Sequence, residues 1–393
     1  MKRIYVELAG RFHSSYGSLI SYPPEGYEFI LEQTPWDRGM HFLMNKDFIY
    51  HSFQRKVLTK LLPVHLVKSY LERFVKKPPQ GTDLTYSFGH LVFRKEPWIL
   101  DLEWVHQLTG FSVKFLKRYR RLVENTLTLD YCKKILCYSE VAKRSILANL
   151  NCSPFENKIE VVHRAVPKKN FIKTYDTKKV TLLFIGTANI PGEFELKGGH
   201  IVLEAFTILN KKYHNLELVV RSDIPQAIRE KYAGTDNMRI IDKIIPWELL
   251  EQEFKSADIF LFPAHHTPAQ TILDAMSYEL PVITTDVHAN PELIEDGKTG
   301  LMIKGSSKVP YYIENWIAPG VGDKSNFSKA IKLLDETMVA ELVEKTSILI
   351  ENKDLRRRMG KAGRWEVEHG KFSIEIRNEK LKKIFDEATS EHE

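Results

Sequence analysis

Residues 256–301 (SADIFLFPAHHTPAQTILDAMSYELPVITTDVHANPELIEDGKTGL) hold the side chains best spaced for chemistry. The run IFLF at 259–262 is built of apolar β-formers and ends at Pro263, after which a helical period begins. Thr267 stands where an N-cap is expected, Pro268 at the first helical position, where its missing N–H costs nothing, and Gln270 at the third, completing a capping box. A helix starting there leaves the backbone N–H groups of Ala269, Gln270 and Thr271 at the positive end of its dipole, just past a buried strand. Anion binding, of phosphate above all, is the chemistry suited to that place. Asp274 is an acid on an otherwise apolar turn with Ile272, Leu273 and Met276, and PVITT at 281–285 reads as the next strand.

The first half of the chain offers a second group. Glu103 and His106 follow the strand-like run PWILDLEW, and ligands of open parallel sheets collect at the C-terminal ends of strands. A hydrogen-bonded structural histidine is the competing reading of His106. Residues 111–127 (FSVKFLKRYRRLVENTL) are the densest basic segment, with Phe111, Phe115, Leu122 and Val123 able to share a helical face ringed by Lys114, Lys117, Arg118, Arg120 and Arg121. That pattern fits an interfacial helix on anionic lipid, and it equally fits a solvated charged face over a core stripe. No recognition motif accompanies the charge, so nucleic acid is not expected as a partner.

The elements that must position these groups alternate along the chain. RIYVELAG at 3–10 opens as a strand, and a loop rich in Ser, Tyr and Gly is expected up to Pro24. A strand at 27–31, helical periodicity over 53–74 ending at Lys76, Lys77 and a Pro-Pro-Gln-Gly turn, and strands at 83–90 and 97–104 follow. Residues 171–179 are polar and without a period, which places the domain boundary near Thr174. VTLLFIG at 180–186 begins a second sheet and KGGHIVLEAFTIL at 197–209 its first helix.

Length and composition allow two domains with full cores: 393 residues, 43% hydrophobic and 27% charged. Net charge is +6 and uneven: 28 Lys and Arg face 16 Asp and Glu before Asp176, leaving 29 of the 57 and 35 of the 51 beyond it. No run of about 18 apolar residues exists, and Glu7, Arg11 and His13 interrupt the first segment too early for a signal peptide. These features predict a cytoplasmic protein, in contact with the inner face of a membrane at most peripherally. Cys132, Cys137 and Cys152 are odd in number and lack metal-ligand spacing, so reduced core thiols and no metal site are expected.

The ordered series AD-I-F-L-FP, D-A-M, PVITTD and PELIEDGKTGL resembles the donor-binding half of retaining nucleotide-sugar glycosyltransferases of family four. The likeness is strong over 180–301 and weaker before. It implies an α/β fold of the GT-B type, two Rossmann-like parallel-sheet domains facing across a cleft. Residues 1–173 would form the acceptor-side domain, 174–370 the nucleotide-sugar domain, and 371–393 a helix crossing back to the first. The implied activity is transfer of a sugar from a nucleotide diphosphate to a hydroxyl of a glycan or lipid-linked acceptor, with no cofactor.

The same resemblance assigns roles to single residues. Lys197, with Gly198 and Gly199 letting the chain approach closely, matches the lysine that neutralises the donor diphosphate. Thr187, after Gly186, stands where the family has an arginine, and Arg221 at the end of LELVVR is the candidate replacement. Ile244 lies in the loop expected nearest the nucleotide base. Gly17 is the one glycine left for the acceptor-side loop after the first strand. Glu103 stands where a histidine is common. The family signature of two acids eight residues apart is kept at Asp274, expected on the ribose, and replaced at its first position by His266. An imidazole there can bond a sugar hydroxyl, and protonation near neutral pH is expected to appear in a rate profile. Residues 304–328 exceed the family norm and read as a surface insertion. Two other outcomes stay open at this point: a noncatalytic nucleotide-sugar-binding protein and a sugar-nucleotide epimerase.

Overall fold

WILDL carries no alternation of apolar and polar residues while LTYSF does, yet in the computed structural model both are buried on both faces, as parallel sheets with helices on either side require, the polar Thr85 and Ser87 being bonded to Glu96 and to the His90 carbonyl. The structure describes residues 1–8, 14–31, 61–174, 179–187, 192–319 and 326–390. They divide into two compact units, one of Met1–Arg164, Glu314–Ile317 and Ile374–Glu393, the other of Ala165–Ile313 and Ala318–Ser373.

The first unit is built on β1 (Lys2–Leu8), β2 (Tyr27–Ile30), β3 (Leu84–Phe88), β4 (Trp98–Leu102), β5 (Cys132–Cys137) and β6 (Ile159–Val161). They form one parallel sheet in the order β2-β1-β3-β4-β5-β6. One face packs on the terminal helix Ile374–Ser390, whose Leu381, Ile384, Phe385 and Ala388 meet Ile4, Tyr86 and Ile99. Tyr27 ties the helix down by donating to Asp386 at 2.6 Å. Leu100, Leu102 and Ile135 bury the other face with Leu116, Val123 and Leu127. All three cysteines are free and buried.

Four expectations change here. Ser14–Ser21 is helical, so Gly17 lies within a helix instead of the expected loop. The helical stretch before Pro79 is observed as Val64–Val75, and residues 53–60 of the expectation fall outside the described ones. The basic segment is two helices, Val113–Arg118 and Arg120–Thr128, broken at Tyr119. The kink turns Phe115 and Leu116 inward together with Val123 and Leu127, so half of the expected stripe, Phe115 and Val123, is core while Phe111 and Leu122 stay exposed. Nor is the stretch after 304 all surface: Ile317 is fully buried in the first unit's core. Around it Glu314 pairs with Lys117 at 2.8 Å and the Arg144 guanidinium lies over the Trp316 ring.

The second unit repeats the plan. Strands β7 (Val180–Ile185), β8 (Leu216–Arg221), β9 (Met238–Ile241), β10 (Ile259–Phe262), β11 (Val282–Thr285) and β12 (Gly300–Ile303) form a parallel sheet in the order β12-β11-β10-β7-β8-β9. Phe184, Phe206, Phe260 and Phe262 fill its core with Leu273 and Met276 of the helix Ala269–Ser277. No described helix is long and apolar enough to cross a membrane.

Candidate functional site

In the second unit, the end of β7 and the start of helix Gly199–Lys212 meet at a turn that only glycine permits. Gly198 has φ +76, and a Cβ there would lie 2.1 Å from the Pro263 carbonyl oxygen, while one at Gly199 would enter the Phe194 ring. This packing sets Lys197 beside Thr187 with its side chain only 12% exposed. The ammonium donates to Thr187 Oγ1 at 2.5 Å and lies 3.4 Å from Glu193 Oε2, to which Thr187 itself donates at 3.1 Å. Burial lowers the Lys197 pKa and the Glu193 charge opposes that shift. Glu193 was not singled out from sequence, although its place four residues before Lys197 on a short helix is a legible pairing signal.

Arg221 ends β8 opposite Ile185 and donates to the Gly186 carbonyl at 3.3 Å, while the Gly186 N–H donates to the Arg221 carbonyl at 2.7 Å. The Arg221 Nε is buried with no hydrogen-bond partner. Gly186, Thr187, Lys197, Gly198, Gly199 and Arg221 therefore form one group.

His266 joins it from the end of β10. Burial above all, with smaller contributions from Lys197 and His288, pushes its pKa down to about 3. The ring is thus neutral across the physiological range, against the expectation of protonation near pH 7. Its Nδ1 has no partner. The helix Ala269–Ser277 starts three residues later, but without the expected capping box. Pro268 occupies the cap, and Thr267 Oγ1 instead accepts from the Ala289 N–H at 3.0 Å. The Thr271 N–H bonds the Pro268 carbonyl at 3.0 Å, which leaves Ala269 and Gln270 as the N–H groups at positions with no intrahelical acceptor. Asp274, one turn further, accepts from Gln270 Nε2 at 3.2 Å; burial raises its pKa to about 6 against the pull of that bond and of Lys169. Lys169, also missed from sequence, sits over the Trp247 and Tyr278 rings.

The remaining candidates lie elsewhere. Ile244 is 65% exposed between β9 and helix Trp247–Ser256. Glu103, His106 and Gly17 belong to the first unit. Glu103 is exposed, its N–H donating to Gln107 Oε1 at 3.2 Å. His106 is 1% exposed, packs edge-on against Phe111 at 5.3 Å and has no partner for either ring nitrogen. Burial pushes its pKa down to about 4, so it is a neutral core residue without the hydrogen bond the structural reading expected. Among the described residues no group of three His, Cys, Asp or Glu side chains could hold a metal ion.

Residues 179–313 match the family model described as Glycosyl transferases group 1. The capsular polysaccharide biosynthesis glycosyltransferase CapM of Staphylococcus aureus is 26% identical over 205 residues, 50% of this chain and 44% of CapM, so the chain spans less than half the length of that curated relative. Among solved structures, Anabaena Alr3699/HepE in complex with UDP and glucose superposes with a TM-score of 0.58 at 11% identity, covering 98% of this chain and 99% of that one. The pneumococcal O-GlcNAc transferase GtfA, in complex with UDP and GlcNAc, gives 0.54 at 15% identity over 79% of this chain and 57% of its own. Two six-stranded parallel sheets with flanking helices, shared with these neighbours, make the fold that of the GT-B glycosyltransferases. Within it, the second unit carries a glycosyl transferases group 1 domain.

Proposed function

We propose that this chain transfers a sugar from a nucleotide-diphosphate donor to an acceptor hydroxyl, with retention of anomeric configuration, on a glycan or lipid-linked acceptor. The observation that carries the reading is the group of Lys197, Thr187 and Arg221 beside His266 and the start of helix Ala269–Ser277. Two cationic side chains and two N–H groups in one polar niche suit a diphosphate, and Glu193 holds the Lys197 ammonium in a phosphate's stead. UDP, present in the complexes of Alr3699/HepE and GtfA, is the first nucleotide to test.

In the reaction the bond from the anomeric carbon to the diphosphate oxygen breaks, its electron pair staying on that oxygen while positive charge spreads over the sugar. Lys197 and the N–H groups of Ala269 and Gln270 stabilise the growing negative charge. Fixed donors of this kind are worth about 3 kcal/mol each. The acceptor oxygen bonds the anomeric carbon from the same face and its proton passes to the leaving phosphate, so no separate general base is required. Neutral His266 bonds a sugar hydroxyl, Asp274 holds the ribose and the loop of Ile244 borders the base. In the first unit Glu103 is on the acceptor side, and the exposed cations Lys114, Lys117, Arg118, Arg120 and Arg121 are suited to a membrane bearing a lipid-linked acceptor.

A second reading rests on one specific residue. His266 is uncharged where an acid is expected, which favours a noncatalytic protein that only binds nucleotide sugars. A panel of radiolabelled UDP-, GDP- and ADP-sugars with wild type and His266→Glu separates the two. Transfer by wild type supports the enzyme, and transfer by His266→Glu alone marks a decayed one. Nucleotide binding without transfer by either protein overturns the enzymatic reading.

A further inference from the structure

The segment 304–313, which reads from sequence as a surface insertion, is bonded into the second unit at every turn. The Lys304 N–H donates to Glu341 Oε2 at 2.7 Å and the Gly305 N–H to Asp286 Oδ1 at 2.8 Å. The Ser306 hydroxyl bonds Asp335, the residue that caps helix Glu336–Glu351. Val309 packs with Leu196, Phe327 and Ile331. So anchored, the segment presents Tyr311. Its hydroxyl lies 2.9 Å from His265 Nδ1 and accepts from the Ser306 N–H at 2.9 Å. Its ring stacks on the His265 ring at 6.0 Å with planes 21° apart, and its carbonyl is 2.7 Å from His288 Nε2.

His265 is the hub of this arrangement. Its backbone N–H donates to the carbonyl of Leu196, the neighbour of Lys197, at 2.8 Å, and its backbone continues directly into His266. The phenol has a single proton, so the tautomer can be assigned. With that proton given to a bare His265 Nδ1, both contacts of the hydroxyl are satisfied and only the Nε2–H lacks a partner. The other tautomer would leave the phenol proton and the Nε2 lone pair both unmatched.

We propose that Tyr311 is a positioning residue of the donor site: through His265 it fixes the loop 263–268, and with it His266 and the start of helix Ala269–Ser277. Thr285 and Asn290 hold the same loop from β11 and the helix after it, by bonds to the carbonyls of Ala264 and His266. Tyr311 supplies the hold on the side of Lys197. The inference rests on the nucleotide-binding reading for its functional consequence only.

Tyr311→Phe removes the hydroxyl and keeps the ring stack and the carbonyl. Three measurements on the full chain decide the matter: the imidazole ¹⁵N resonances of His265, amide hydrogen exchange over 263–268, and the dissociation constant of UDP. Wild type should show a neutral His265 protonated at Nε2 with Nδ1 accepting a hydrogen bond. In Tyr311→Phe the Nδ1 signal should move to its unbonded position, loop exchange should quicken about tenfold and UDP should bind about tenfold more weakly, the scale of one lost hydrogen bond. Tyr213→Phe, which deletes a phenol bonded to Glu351, should change none of these. An unmoved Nδ1 signal or unchanged loop exchange overturns the proposal. So does a loosened loop with undiminished UDP affinity, because Tyr311 would then be structural only. If wild type binds no UDP, the nucleotide reading falls, while the resonance and exchange data still decide whether Tyr311 holds the loop.

Discussion

Lys197→Ala tests the donor site most directly. In the free protein the ammonium is nearly buried and held by Thr187 and Glu193, so a phosphate gains it only by displacing Glu193. A hydrogen bond to a charged group is worth about 1.5–3 kcal/mol, which raises the dissociation constant of UDP about 10- to 150-fold when it is lost. At UDP about 100 times the wild-type dissociation constant, ligand adds about 2.7 kcal/mol to wild type and about 0.3–1.4 kcal/mol to the variant. With about 1 kcal/mol moving Tm by roughly 2–4 °C in a unit of this size, the UDP-induced shift falls from roughly 5–11 °C to about half of that or less. Differential scanning fluorimetry with and without UDP reads both numbers. Glu193→Gln should act in the opposite direction, since it removes the charge that competes with the phosphate. The expected order of UDP-induced shifts is therefore Glu193→Gln at or above wild type, and Lys197→Ala well below. An undiminished shift in Lys197→Ala, or its loss in Glu193→Gln, would refute the reasoning.

Burial raises the Asp274 pKa from 3.8 to about 6. Between pH 4 and 6 the folded chain then holds a proton that the unfolded chain lacks, so this group's contribution to stability falls as pH rises through that window and is level above it. Asp274→Asn should flatten the dependence, raise stability at pH 7.5 by up to about 2–3 kcal/mol, and weaken UDP binding, all readable by denaturant titration and calorimetry. Because His266 stays neutral down to about pH 3, the pH profile of affinity for a UDP-sugar, whose diphosphate diester does not itself titrate there, should carry a limb near 6 that vanishes in Asp274→Asn and survives in His266→Gln. Binding to liposomes should require acidic lipid, fall with salt and be lost in Lys114/Arg118/Arg121→Glu; equal pelleting of wild type and variant removes these helices as the contact. Ile317→Ala, in a fully buried position, should cost about 2–5 kcal/mol of first-unit stability in chemical denaturation.

Much of this was legible in the amino-acid order because it rests on short-range rules. Two sheets, the strand before Pro263 and the helix bearing Asp274 follow from apolar runs and a helical period set by neighbours within a few positions, and the glycines beside Lys197 announce a turn, although the Pro263 carbonyl that demands one of them is distant in the chain. Where several partners compete for one group, only the folded chain decides. Thr267 had the sequence of a cap, yet its hydroxyl serves Ala289, twenty-two residues away, because the loop after β11 brings that N–H within 3.0 Å. His106 and His266 could not be told from titrating histidines until burial made the charged ring too costly to keep. Lys197 carried its charge in the sequence, but its bond to Thr187, like the contact of Tyr311 with His265 and the burial of Ile317, joins groups that different elements bring together. Hydrogen bonding and desolvation act over distances in space, and at Thr267, His265 and Ile317 the nearest groups in space are far apart along the chain.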